Sequence, residues 1–131
     1  MELTSELLDQ LCIQAKENPR LRQNYDLRNS QEDQSQRMLN ALQIGTRVPI
    51  HRHTQSSEVV CIIRGAIREN FYDSDGKISE SIELRQGSTI PILIVPKGIW
   101  HNLDCLEPDT IIYESKDGAY EPQQPEDIMA Q

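Results

Sequence analysis

The chain predicts a mainly β domain, a sandwich or closed barrel, with one leading α-helix. From residue 37 onward, apolar residues alternate in short segments closed by Gly, Pro and Asp-rich turns. Over the first 18 residues the period is different: Leu7, Leu8, Leu11, Cys12 and Ala15 recur every three to four positions as one stripe. The length of 131 residues, 37% of them hydrophobic, suits a single domain with a modest core. Aromatics make up only 5%, so branched aliphatics must fill most of that core.

The helix should take Thr4 as its N-cap, with Leu3 stapled onto Leu8. It should stop at Asn18-Pro19, because a residue before proline is pushed out of the helical region. The segment 29–35 is polar and turn-like. Strands are then expected over 37–43, 47–53, 58–64, 66–72, 78–84, 89–95, 99–106 and 110–116. The run Asp73-Ser74-Asp75-Gly76-Lys77 reads as a hairpin turn. Pro91 breaks the strand over 89–95, since it removes a ladder donor. This organises the chain as a packed helix (1–18), a barrel (19–122) and a loosely held polar tail (123–131).

Thirteen Lys and Arg stand against 21 Asp and Glu, a formal net charge of -8 with no basic run. Phosphate-backbone affinity comes from clustered cations, so nucleic acid is excluded as a partner. The apolar runs at 59–63 and 92–95 are far short of the roughly 20 residues that span a bilayer. The first residues lack the basic flank and apolar stretch of a secretory signal, and a cytoplasmic protein without a membrane partner is expected. Cys12, Cys61 and Cys105 are far apart and odd in number, which fits reduced thiols rather than a disulfide framework or a zinc cluster.

The chemistry lies in the histidines. His51 and His53 are two apart on an expected strand, so both rings leave one face. Glu58 follows a four-residue loop at the start of the next strand, and His101 sits past the turn Pro96-Lys97-Gly98. The chain has three histidines, and all fall in this pattern. Three imidazoles and a carboxylate form a ligand set for one divalent transition metal, Zn, Fe, Mn or Ni, with positions left open.

The run from Gly45 to Gly65 resembles the first cupin motif, G-x5-H-x-H-x4-E-x6-G, with Gly45, His51, His53, Glu58 and Gly65 at every fixed place. The second motif, G-x5-P-x-G-x2-H-x3-N, is half kept. Pro96, Gly98 and His101 fit, the leading glycine is absent or displaced to Gly87, and Cys105 stands where Asn is expected. More narrowly, the chain resembles the WbuC-type cupin fold metalloproteins found with bacterial surface-polysaccharide genes. The likeness includes Asn18-Pro19-Arg20, Gln36-Arg37, Pro49-Ile50-His51-Arg52-His53 and the segment from Glu114 to Pro122. It implies a jelly-roll barrel (a double-stranded β-helix), a bound metal, bacterial origin and a homodimer. It supplies no reaction.

Asn40, Arg64, Cys105 and Tyr113 are the candidate cavity liners, with Arg37 and Arg47 able to reach the rim. Cations near a metal favour an anionic or oxygen-rich small molecule, carbohydrate-like or a nucleotide sugar. Three functions stay open: a metal-dependent isomerase or epimerase on a carbohydrate precursor with the metal as Lewis acid, a non-catalytic sugar-binding or regulatory module, and an Fe(II) dioxygenase. The second draws on the scarcity of acid–base groups, since no fourth histidine exists.

Overall fold

The computed structural model describes residues 1–130. Helix α1 runs Ser5–Glu17, and the Thr4 hydroxyl accepts from the Leu7 N–H at 3.2 Å as its N-cap. The helix ends at Asn18, whose N–H donates to the Gln14 carbonyl at 3.0 Å. Eight strands follow: β1 (Arg22–Asp26), β2 (Ser35–Leu42), β3 (Glu58–Arg64), β4 (Ala66–Tyr72), β5 (Ile78–Arg85), β6 (Ile92–Val95), β7 (Trp100–Cys105) and β8 (Thr110–Asp117). A five-stranded sheet in the order β1-β2-β8-β3-β6 faces a three-stranded sheet in the order β5-β4-β7. Every strand pairing is antiparallel.

Two apolar layers hold this arrangement. Between the sheets lie Leu42, Val60, Ile62, Ile67, Phe71, Leu84, Val95, Leu103, Cys105 and Ile112. On the outer face of the larger sheet, Leu11, Cys12 and Ala15 of the helix meet Leu39, Ala41 and Ile111. Alternate residues of β2 and β8 therefore serve different layers, as the two-residue period of a strand requires.

Three expectations need correction. Residues 47–53 form no regular strand: Pro49 has no N–H, and only His51 pairs, in isolated bridges to His101 and Ile128. β1 has no counterpart among the expected strands, because Tyr25 is the one apolar residue in its five. Residues 123–130, expected to be loosely held, are docked, and residue 131 lies outside the described residues. The docked segment forms a 3-10 turn over Pro125–Asp127, and Met129 donates its N–H to the Ile50 carbonyl at 2.8 Å. A polar composition hid this, since the docking uses backbone groups and one ion pair rather than apolar burial.

Gly65 sits at φ +74°, directly after β3, where an added Cβ would collide with the Thr110 side chain and Cα. That hydroxyl also accepts from the Ala66 N–H at 3.2 Å. Gly65→Ala is therefore expected to lose at least ~2 kcal/mol of stability, from left-handed strain and the clash together. Urea unfolding of the metal-free protein measures it; a loss below ~0.5 kcal/mol would show that the turn relaxes freely.

Candidate metal centre

The backbone brings the histidines together. His51 donates its N–H to the His101 carbonyl at 3.0 Å, and His101 returns the bond at 2.8 Å, so the two residues face each other as a cross-strand pair. The His53 carbonyl accepts from the Gly98 N–H at 2.7 Å, which ties the Pro96–Gly98 turn to the other end of the motif. Ring centroids lie 4.3 Å apart for His51 and His101, 5.0 Å for His51 and His53, and 5.4 Å for His53 and His101. One ring nitrogen from each histidine lies within 4.8 Å of the other two. Nitrogens about 2.1 Å from a shared ion stand roughly 3 to 3.4 Å apart, so small side-chain rotations suffice for chelation.

The tautomers suit a metal as well. His51 Nδ1 lies 2.8 Å from the Pro49 carbonyl, and His101 Nδ1 lies 2.9 Å from the Ile99 carbonyl. A carbonyl only accepts, so both Nδ1 atoms carry the proton and both Nε2 atoms keep a free lone pair. Burial, with the neighbouring His101 adding to it, lowers His51 to about 4, and burial lowers His101 in the same direction. Both rings are thus neutral at physiological pH, the form a metal requires.

Glu58, 7% exposed at the start of β3, stands beside this cluster. One oxygen lies 3.0 Å from His53 Nε2 and 3.9 Å from Lys116 Nζ. Burial raises its pKa, but the His53 hydrogen bond and the Lys116 charge outweigh it and hold the group below the usual carboxylate range. An ionised carboxylate already engaged with a ligand-type ring suits a fourth donor to a cation.

The histidines and Glu58 open into a cavity of about 480 Å³ between the sheets. Of the other candidates, Asn40 lines it. Arg64 does not. Its position in strand parity points inward, but a bulge between Ile62 and Arg64 turns the side chain out, where it bonds Asp9 of the helix at 2.7 Å. Tyr113 belongs to the helix layer, because the inward residues of β8 are Ile112, Glu114 and Lys116. Cys105 shares the inward face with His101 but lies deeper, in the core, with its thiol 3.0 Å from the Glu107 carbonyl. Burial pushes that thiol up, which suits packing rather than ligation. The cations of the cavity are Arg20, Arg22 and Lys116, while Arg37 bonds Asp33 at 2.8 Å and lies elsewhere.

Two inward-facing carboxyl groups escape a reading for histidine chemistry: buried Glu69 on β4 and half-buried Glu114 on β8. The signal was present. Each occupies the inward parity of its strand, in Ile67-x-Glu69-x-Phe71 and Ile112-x-Glu114-x-Lys116, where a core residue is normal. Burial, reinforced by the Glu58 charge, raises both, Glu114 to about 8 even against the opposing charges of Lys116 and Arg22. The native state then keeps a proton on Glu114 that the unfolded chain releases above its ordinary range near 4.5. Native protein binds more protons in that window, so stability falls as pH rises toward 8. In metal-free protein the loss from pH 6.5 to 8 is expected at roughly 1–2 kcal/mol, and Glu114→Gln should flatten it. Unfolding curves across that range test this; an unchanged slope in the variant assigns the effect to another group.

A jelly roll of two antiparallel sheets with a histidine cluster inside one end defines a cupin barrel with a metal-competent site. By sequence, the chain belongs to the family described as a domain of unknown function, DUF6016, which matches residues 3–84 and so includes His51, His53 and Glu58. KdgF from Halomonas sp. superposes with a TM-score of 0.62 at 16% identity, over 79% of this chain and 84% of that one. Bacillus subtilis oxalate decarboxylase, described with Mn(II) centres, superposes at 0.59 and 16% identity over 82% of this chain and 27% of that one. Germin-like protein subfamily 3 member 4 of Arabidopsis thaliana is 33% identical over 54 residues, 41% of this chain and 24% of the plant protein. The chain therefore spans about a quarter of that curated relative's length. These structural likenesses support the barrel. Among the described residues no helix is long and apolar enough to cross a membrane.

Proposed function

We propose that this protein is a metal-dependent cupin of the WbuC type, acting on a carbohydrate or nucleotide-sugar precursor of bacterial surface polysaccharide. His51, His53, His101 and Glu58 hold one divalent transition metal. The observation that carries this is the pair of Nδ1–H bonds to the Pro49 and Ile99 carbonyls, which leave two neutral Nε2 atoms free beside His53. When bound, the metal supplies Lewis acidity to a carbonyl or hydroxyl oxygen. Arg20, Arg22 and Lys116 favour an anionic, oxygen-rich ligand. Glu69 and Glu114 offer the acid–base groups whose scarcity motivated a purely binding role, so the catalytic reading is preferred.

Metal analysis of protein purified without added metal, followed by stripping, reloading and assay on nucleotide sugars, tests the reading. About one ion per chain and turnover restored only on reloading are expected. Absence of uptake of Zn, Mn, Fe and Ni sinks it. Oxygen consumption confined to the Fe(II) form would move the assignment to a dioxygenase. The site is expected in a homodimer, a reading supported by exposed Ile92 and Ile94 on the edge strand β6, and light scattering reports the mass directly.

A further inference from the structure

Buried polar atoms in folded proteins nearly always find a partner, and those that do not call for an explanation. Among the described residues two buried side-chain oxygens lack one: Asn40 Oδ1 and Glu69 Oε2. They come from different strands of opposite sheets, β2 and β4, yet both residues line the same cavity as the three histidines. Glu69 is 2% exposed, and it pairs across the sheet with Leu103, the next inward-facing residue after His101 on β7. The orphaned oxygens thus belong to the walls around the candidate metal position.

We propose that Asn40 and Glu69 form a hydroxyl-binding subsite of the metal cavity, and that the ligand it takes is a polyhydroxylated compound rather than a simple dicarboxylate. The inference rests on the metal-cavity reading above and specifies its ligand. An amide oxygen only accepts, so the partner Asn40 Oδ1 needs is a donor. A ligand carboxylate at neutral pH has none; a hydroxyl does. Glu69 Oε2 is an acceptor in either form of the carboxyl, so it too calls for a donor such as a hydroxyl, and burial with the nearby Glu58 charge raises its pKa. A second cation beside the metal is disfavoured by the positive charges of Arg20, Arg22 and Lys116 in the same cavity. With a volume of about 480 Å³ the cavity has room for a ligand of sugar size as well as for water.

The test uses full-length protein loaded with Zn, titrated calorimetrically with gluconate and with oxalate, alongside Asn40→Leu, Glu69→Leu and Glu69→Gln. Bound metal is measured in every sample. Both probes offer a carboxylate to the metal, but gluconate alone brings hydroxyl donors. Gluconate is expected to bind wild type, to weaken at least tenfold in both Leu variants, and to recover within threefold of wild type in Glu69→Gln, which keeps a donor and an acceptor. Oxalate affinity and metal content should be unchanged. Each Leu variant should also unfold at a midpoint no lower than wild type, since it removes a buried group that has no internal partner. Metal bound with no gluconate binding, or with gluconate and oxalate weakened alike, overturns the subsite alone. Lowered midpoints in the Leu variants also overturn it, because they reveal internal hydrogen bonds. Loss of metal uptake in the wild type overturns the metal-cavity reading and the subsite with it.

Discussion

His101→Ala is expected to lower metal affinity by roughly two to three orders of magnitude, because a four-ligand site worth about 10–16 kcal/mol loses about a quarter of its donors. The residue is 2% exposed and its Nδ1–H is held by the Ile99 carbonyl, which leaves Nε2 as its ligating atom. The fold should tolerate the change. The backbone pair between His51 and His101 does not use the side chain. Equilibrium dialysis with Zn and Mn, together with unfolding of the metal-free protein, separates the two effects. Glu58→Gln should cost less, about tenfold to a hundredfold, since it keeps an acceptor for His53 while removing the charge. Above about pH 5, His51 releases no proton on binding, because its value near 4 leaves the ring neutral. If His101→Ala binds metal as tightly as wild type, the ions seen are held somewhere else.

The motif residues were legible because each is dictated by chemistry that ignores context. Gly65 must be glycine at a positive φ against Thr110, and the three imidazoles are the only histidines available. The cavity wall was harder, for a physical reason. Parity along a strand predicts which face a residue takes only while the ladder is regular. At Asn40 it is regular, and the residue lines the cavity. At Arg64 one bulge reverses the face, and nothing in Ile62-Ile63-Arg64 announces it. Tyr113 faces the helix layer because its strand neighbours Ile112 and Glu114 hold the inward parity. Glu69 and Glu114 hold an interior parity against the usual solvation of charged residues, so residue type and strand parity point opposite ways there. The rim cations were expected from the right residue type but the wrong segment. Arg20 and Arg22 flank and begin β1, a strand with too little apolar pattern to be seen.

The second large effect is expected from removing residues 123–131. Tyr120, Gln123 and Ile128 line the metal cavity, so this end of the chain forms part of its wall. Its anchor is Arg52, which lies between the two motif histidines. The Arg52 guanidinium meets Asp127 at 2.9 Å and lies 4.5 Å over the Trp100 ring, its N–H donates to the Asp127 carbonyl at 3.0 Å, and its carbonyl accepts from the Gln123 side chain at 2.8 Å. A partly buried ion pair and a few hydrogen bonds, less the entropy of ordering a short segment, leave a net of about 1–3 kcal/mol. The truncated protein should lose stability by that amount while keeping both sheets, which do not use these residues. Metal release to a chelator should quicken by at least about tenfold, because His51 then faces solvent where Ile128 had paired with it. In release rate Arg52→Ala should fall between wild type and the truncation, since it cuts the ion pair to Asp127 but spares the backbone bonds of the segment. Stopped-flow release from Zn-loaded protein measures all three. An unchanged rate in the truncation would mean that the ion leaves by another path, and that the docked segment shapes the cavity without sealing it.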